Sequence, residues 1–460
     1  MSTLVAGLEP LGKGKALLIM VCIAAALLSI SMLGNAGVVF ALLLALMLTG
    51  MPISISLGLT VLTFLFFFSN VPTEAVAMKL FTGIEKFEIM AIPFFILAGN
   101  FLTHGGVAKR MINFATALVG HMHGGLALGG VVACALFAAV SGSSPATVVA
   151  IGSILLPAMV KQGYPIRFGV GVIGTAGGLG ILIPPSIVMV IYAVSTNSSI
   201  GQLFIAGIIP GLLLALTLLT VTWVVAKKRK YPCLPRASFG EIVRTFRESI
   251  WGLALIIVVI GGIYSGLFTP TEAAAMSAVY AFFVSVFIYR DMGMKDIPKV
   301  LLSSASMSSM LLYIITNAVL FSFLLTSEQV PQDLTAWMVS LGLDKITFLI
   351  FVNILLLAAG NFMEPSSILL ITAPLLFPIA MELGIDPIHL GVLMTVNMEI
   401  GMITPPVGLN LYVASGISRL GLTETTKACA PWILVMLVYL TVITYIPAIS
   451  LWLPQLLYGP

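Results

Sequence analysis

Four interrupted apolar stretches put hydroxyls, amides and free backbone groups where chemistry can occur. Ser141-Gly142-Ser143-Ser144-Pro145 breaks one stretch, and Gly177-Gly178-Leu179-Gly180 running into Pro184-Pro185-Ser186 breaks the next. Further along, Gly360-Asn361 through Glu364-Pro365-Ser366-Ser367 and Asn397 through Gly401 to Thr404-Pro405-Pro406 do the same. Vicinal prolines cannot continue a helix, because each lacks an N–H and clashes with the preceding turn. The half-helix after such a break presents unpaired N–H groups, which suit a carboxylate. The half-helix before it ends in unpaired carbonyls, which suit a small hard cation such as Na⁺. With serine, threonine and asparagine as the only side-chain donors, two Na⁺ sites fit better than a proton relay. The candidate ion and substrate residues are Ser141, Gly142, Ser143, Ser144, Gly178, Gly180, Pro184, Pro185 and Ser186 in the first half. In the second half they are Gly360, Asn361, Glu364, Ser366, Asn397, Gly401, Thr404, Pro405 and Pro406.

Charged residues are scarce around these breaks. Glu364 and Glu399 are the acids placed in the apolar core, apart from Glu272 near an outer turn. An acid at such depth is a functional candidate by default, and a hydrogen-bonding role is favoured over direct Na⁺ ligation. No arginine or lysine is placed there to pair an anion, so helix ends and bound Na⁺ must compensate its charge. Asn100 and Asn317 are expected to tie helices together. The four histidines, His104, His121, His123 and His389, show no metal-ligand spacing beyond the weak His121-x-His123 pair. No catalytic carboxylate pair or nucleophile–base pair accompanies them, which leaves an intramembrane enzyme without its machinery. No cofactor is expected, with Na⁺ as the coupling ion.

The elements that must position these residues are membrane helices. The chain is 60% hydrophobic and 8% charged, with a mean hydropathy of +1.15, far from a soluble globular profile. Landmarks repeat at an offset of 221 residues: Pro157 with Pro378, Gly163 with Gly384, Gly180 with Gly401, Pro184 with Pro405. One such break is explained as a packing kink; four in register are not. Paired, Gly/Pro-interrupted segments in corresponding halves point to the midplane site of a secondary transporter.

Helices are expected over residues 37–48 and 53–68, meeting at Gly50-Met51-Pro52, and over 90–102. Residues 126–140 and 145–160, each marginal for spanning alone, form a re-entrant hairpin. The interrupted run 168–195 and the plain run 204–226 close the first half. The second half repeats the order over 250–268, 273–289, 300–325, a hairpin of 346–360 and 365–380, the interrupted run 390–415, and 432–453. This gives an extra helix in 1–34 (its span 16–33), a first repeat over 35–226, a basic cytoplasmic linker over 227–249 and a second repeat over 250–460. Scaffold helices occupy 35–104; hairpins and broken helices occupy 125–195 and 346–416. The apolar run at 16–33 follows Lys13 and Lys15 but lacks a clear cleavage site, so it reads as a retained helix and not a signal peptide.

An odd number of crossings per half makes the halves inverted, and charge supports this. With the N-terminus inside, 18 of the 21 basic residues fall in cytoplasmic segments, as the positive-inside rule requires. The C-terminus then lies outside. The linker reads as a positive-inside anchor in preference to a lipid headgroup site. It flanks a membrane helix and carries no nucleic-acid signature. Residues 107–123 read as an amphipathic segment at the cytoplasmic interface. Cys22, Cys134, Cys233 and Cys429 have no metal spacing and read as free thiols.

The strings S-G-S-S-P-A-T-V-V-A-I-G-S-I-L-L-P (141–157), G-I-L-I-P-P-S-I (180–187) and N-M-E-I-G-M-I-T-P-P-V-G-L-N-L (397–411) resemble the large membrane subunit of tripartite ATP-independent periplasmic (TRAP) transporters. So do I-P-F-F-I-L-A-G (92–99) and G-I-D-P-I-H-L-G-V (384–392), and the similarity covers roughly residues 35–455. The resemblance implies an all-α polytopic protein of the elevator-type ion transporter superfamily. It implies Na⁺-driven symport of an organic acid, a C4-dicarboxylate or a sialic acid, across a bacterial inner membrane. Its implied partners are a small four-helix membrane subunit and a periplasmic binding protein. A stand-alone divalent-anion:Na⁺ symporter of the same superfamily is the alternative; the Ser-Asn-Thr tips of that group are absent.

Overall fold

The computed structural model of the chain describes residues 34–68, 72–340 and 344–459. The helix expected at 16–33, with Cys22, lies outside the described residues. Every regular element described is a helix. In chain order they are α1 (Gly34–Leu48), α2 (Ile53–Phe68), α3 (Thr73–Thr82), α4 (Phe87–His104), α5 (Val107–Val119), α6 (Gly125–Ser141) and α7 (Ser144–Lys161). There follow α8 (Ile166–Leu182), α9 (Ile187–Thr196), α10 (Ile200–Lys228), α11 (Phe239–Tyr264), α12 (Pro270–Ile288), α13 (Ile297–Ser327) and α14 (Val330–Ser340). The last six are α15 (Lys345–Gly360), α16 (Pro365–Glu382), α17 (Pro387–Met402), α18 (Leu409–Ser418), α19 (Leu422–Tyr445) and α20 (Ala448–Tyr458). Among the described residues eight helices are long and apolar enough to span a membrane, and the pair α8/α9, bent by 41°, makes a ninth.

Local chemistry sets the boundaries. Gly142, at φ 61°, turns the chain between α6 and α7, and Pro145 sits in the first turn of α7, where its missing N–H costs nothing. Pro365 starts α16 in the same way. Both Pro-Pro pairs lie in the breaks predicted for them, and both are cis. The expected helix over 432–453 is instead two: Ile446 leaves the helical region at φ −121°, ψ 76°, as a residue before proline tends to, and α20 restarts after Pro447. Two short helices, α3 and α14, occupy stretches that hydropathy leaves blank. The non-helical part of the linker is only 229–238, because α11 begins at Phe239 with Ser238 capping Glu241 N.

The helices sort into two groups. α4 packs against α12 and α13, and α13 also carries α2 and α3. Asn100 Nδ2 donates to Ser304 Oγ across α4 and α13 at 2.8 Å. Asn317 of α13 bonds its own helix at Tyr313 O and presses its amide oxygen against Gly58 of α2, where no larger residue fits. Around the other group, α6 packs with α7 and α8, α15 with α16 and α17, and α9 with α16. α13 touches α16 and so forms the wall between the groups. Cys134, Cys233 and Cys429 are free.

Candidate functional site

The first tip is a closed hydroxyl cluster. Ser141 Oγ lies 2.9 Å from Thr147 Oγ1, and Thr147 donates its hydroxyl and its N–H to Ser143 O at 2.9 and 3.1 Å. Ser141, Ser144 and Thr147 are all buried. The tip sits on the first break: Ile187 N donates to Gly142 O at 3.5 Å. A Cβ on Gly142 would lie 2.8 Å from Pro185 O, and one on Gly180 would lie 2.6 Å from Ser143 O. These glycines permit backbone-to-backbone contact that any side chain would block. Pro184, Pro185 and Ser186 are buried; Ser186 donates to Ile181 O at 2.5 Å and caps Met189 N of α9.

The second tip repeats the contact with different side chains. Val407 N donates to Asn361 O at 2.9 Å. Gly360 and Gly401 touch through their backbones, a Cβ on Gly401 falling 2.8 Å from Gly360 Cα. Glu364 accepts from Ser367 Oγ at 3.0 Å. Thr404 spends its hydroxyl on Ile400 O at 2.6 Å, and Pro405 and Pro406 are exposed.

The two tips meet. A cavity of about 90 Å³ is lined by Ser143, Ser144 and Pro145 from the first tip and by Glu364, Pro365 and Ser366 from the second. Ile181, Ile187 and Met402 of the breaks complete one side, and Met307, Met310 and Leu311 of α13 form the facing wall. The N-termini of α7 and α16 therefore both border the cavity, and neither is closed by a side-chain cap. By contrast, Ser186, Ser199, Ser238, Thr269, Asp344 and Asp386 cap their helices. Uncapped first turns at a cavity leave N–H groups for a carboxylate.

Buried oxygens without partners lie next to this cavity. Asn410 of α18 donates to Ser144 Oγ at 2.6 Å and to Gly174 O at 3.5 Å, while its Oδ1 bonds nothing described. Thr175 Oγ1, one residue along, is likewise unpartnered, as is Asn361 Oδ1 at the second tip. Buried polar atoms normally find partners. A set of neutral oxygens around Ser144, Gly174 and Asn410 has the hard-donor character that Na⁺ takes, so the residues present fit the ion.

Of the sequence candidates only Gly142, Ser143, Ser144, Glu364 and Ser366 line the cavity, and Asn397 and Glu399 belong to other buried groups. Asn397 donates to Asn353 Oδ1 at 2.8 Å and to Leu393 O, and Asn353 donates to Thr444 Oγ1 at 2.9 Å. His389 continues this buried group through Ser450 Oγ at 2.8 Å and Thr444 O at 3.3 Å. Glu399 is fully buried, neither carboxyl oxygen has a hydrogen-bond partner among the described residues, and Gly178 lies directly against it. The broken helices of the two halves thus meet at a glycine and an acid. Sequence reasoning missed Thr147, Gly174, Thr175 and Asn410. Asn410 had a signal, as the only amide in Gly408-Leu409-Asn410-Leu411 just after the second Pro-Pro pair.

An all-helical membrane protein with two helix–tip–helix pairs and two broken helices converging on a largely apolar cavity, bordered by a few hydroxyls and one acid, has the form of a membrane transporter. The fold is similar to that of a solved structure, the Alcanivorax borkumensis YdaH transporter, with a TM-score of 0.58 at 16% identity, over 83% of this chain and 90% of that one. Residues 40–449 match the family described as "Tripartite ATP-independent periplasmic transporter, DctM component", and the chain belongs to it. It is 68% identical over 437 residues to the "C4-dicarboxylate TRAP transporter large permease protein DctM" of Rhodobacter capsulatus, covering 92% of this chain and 99% of that protein. It is 56% identical over 400 residues to the protein of the same description from Pseudomonas aeruginosa, covering 87% and 94%. The chain is a multi-pass membrane permease component and not an enzyme.

Proposed function

We propose that this chain is the large permease of a Na⁺-driven importer of C4-dicarboxylates, working with a small four-helix membrane subunit and a periplasmic binding protein. The observation that carries this reading is the cavity between the uncapped N-termini of α7 and α16. Its volume is about 90 Å³. Each carboxylate has one helix N-terminus to face, which supplies partial positive charge where no lysine or arginine lines the cavity. The names carried by the two relatives support the same substrate class.

Na⁺ supplies the remaining positive charge beside the anion. Ser144, Gly174, Thr175 and Asn410 would hold one ion, and Asn361 with the ends of α15 and α17 a second. The backbone bonds Ile187 N to Gly142 O and Val407 N to Asn361 O support an inverted repeat, each tip being pinned to its own break. Met307, Met310 and Leu311 support an elevator motion, since flexible apolar side chains let α13 slide past the tips without breaking hydrogen bonds. The charge distribution supports a bacterial inner-membrane protein with N-terminus cytoplasmic and C-terminus periplasmic. The stand-alone symporter reading is not favoured by the relatives.

Radiolabelled succinate uptake into proteoliposomes holding this chain and its small subunit tests the reading. Uptake is expected only with an inward Na⁺ gradient and the binding protein together. Uptake without the binding protein would refute the tripartite reading, and Na⁺-independent uptake would refute the coupling.

A further inference from the structure

A second cavity, of about 440 Å³, shares no lining residue with the first. It lies where α5, α11 and the end of α12 meet, and it gathers Arg110, Arg244 and Arg247 with Trp251 and Tyr289. Glu248 is the acid among its lining residues. Arg244 and Arg247 fall in the stretch 227–249 that the sequence reads as a positive-inside anchor, but the fold gathers them into a cavity with Arg110, Trp251 and Tyr289, and we propose that this cavity binds the phosphodiester headgroup of an anionic phospholipid.

The arginines are prepared to different degrees. Arg110 is fixed: it donates to Gly106 O at 3.0 Å, pairs with Asp291, and its guanidinium sits 3.9 Å from the Tyr289 ring centre. Tyr289 is itself anchored, donating its hydroxyl to Glu248 O at 2.8 Å and accepting from Gly252 N at 3.3 Å. Arg244 makes only long contacts, 3.8 Å to Glu241 and 3.9 Å to Glu248, and is 68% exposed. Arg247 is exposed and has no ion pair among the described residues. Asp291 offsets Arg110, and Glu241 and Glu248 stand loosely beside Arg244, so Arg247 carries the least compensated charge available to a ligand. Guanidinium forks match phosphate oxygens in a way ammonium groups do not.

The surroundings select a lipid over a free anion. Trp251 and Tyr289 are the residue types that sit at headgroup level. From the cavity mouth α11 presents exposed apolar residues on into its membrane span, Ile250 and then Ile257, the latter 72% exposed. An acyl chain following that face leaves its phosphate at the arginines. Basic cavities between membrane helices on the cytoplasmic side bind anionic headgroups by this arrangement. The site rests on the topology proposed above only for its assignment to the cytoplasmic leaflet.

Native mass spectrometry of the full-length chain in detergent, titrated with phosphatidylglycerol, cardiolipin or phosphatidylcholine, tests this. The anionic lipids are expected to stay bound through gentle activation while phosphatidylcholine does not. Arg247→Gln should weaken them about fivefold and Arg244→Gln/Arg247→Gln about 25-fold, at about 1 kcal/mol per arginine. Lys227→Gln/Lys228→Gln removes equal charge from the nearby end of α10 and should leave binding within twofold or so. An equal loss in the lysine variant would overturn the site in favour of diffuse charge attraction. Competition by millimolar inorganic phosphate to the same extent would overturn the lipid assignment. If the double variant does not fold, the single Arg247→Gln decides, since that side chain has no ion pair to lose.

Discussion

The two tips are built on one backbone scheme and finished with opposite chemistry. At each, a backbone N–H just past a cis Pro-Pro pair donates to a carbonyl of the tip, Ile187 to Gly142 and Val407 to Asn361. The first tip then closes on itself through Ser141, Thr147 and Ser143, and its prolines are buried. The second carries an acid, leaves Asn361 Oδ1 unpartnered, exposes Phe362 to 64%, and leaves Pro405 and Pro406 outside. One arm of the site is a sealed, neutral, hydrogen-bonded unit, and the other is an open one with ionisable chemistry. The backbone scheme brings two helix N-termini to the cavity, while the side chains make its two ends unequal. The first tip is thus the more closed of the two and the second the more exposed.

The comparison is broken most severely at the glycines. Gly401→Ala places a methyl group against the Gly360 backbone, and neither backbone can retreat as a side chain would. Uptake should fall at least about a hundredfold, the cost of an ångström-scale misplacement in a positioned site. Gly416→Ala, with nothing within 4 Å, should transport normally in the same assay, and equal losses in the two would sink the claim.

Next in size is the oxygen cluster of the first tip. Asn410→Ala and Ser144→Ala should each raise the Na⁺ concentration for half-maximal uptake about tenfold, as expected for one hydrogen bond or ligand to a charged partner. Thr404→Val should change it little, because that hydroxyl is committed to Ile400 O. Na⁺ titrations that rank the three the other way round would remove the proposed ion from Ser144 and Asn410.

A smaller effect is expected where the two halves touch. Gly178→Ala drives a methyl into the Glu399 carboxylate, costing about 1–3 kcal/mol of overpacking. Glu399→Ala in the same chain should recover most of it, since the obstructing atoms are gone. Thermal unfolding of the two single variants and the double variant reads this coupling; simple additivity would mean that Gly178 and Glu399 do not act on one another.

The smallest effect lies at the start of the second helix pair. Thr347 holds the Asp344 carboxyl below the ordinary carboxylate range, through its hydroxyl first and its N–H second. A lowered folded value means that the cap stabilises fully above the unfolded carboxylate range. Its contribution is lost as pH falls through that lowered value. Asp344→Asn should therefore speed hydrogen exchange in the first turn of α15 at neutral pH and leave it unchanged in acid. A pH-independent difference would remove the charge from the explanation.

Much of this was legible before any coordinates. The 221-residue offset marked both breaks because vicinal prolines end helices wherever they fall, and Ser141–Pro145 and Gly360–Ser367 announced tips through a turn glycine and a helix-starting proline. Asn410, Thr175 and Thr147 were not legible. Their counterparts at the same offset are Met189, Val396 and Ile368, so a search for symmetry passes over them. The Asn397–Asn353–Thr444–His389 group was hidden for another reason. Its members come from helices far apart in sequence, and an asparagine on a membrane helix looks the same whether it faces an ion or a neighbour. The break at Pro447 was visible as a proline in a run long enough to be one span, and hydropathy alone smoothed over it.

By itself the sequence determined that this chain crosses a membrane many times and where its helices break. Those properties follow from local rules: transfer of apolar surface and the missing N–H of proline. Only the tertiary structure decided which broken ends share a cavity, how large that cavity is, and which oxygens are left without partners. Those depend on contacts between residues more than 200 positions apart, such as Asn410 with Ser144 and Gly178 with Glu399. No local pattern encodes such a pairing, because it is set by how whole helices pack.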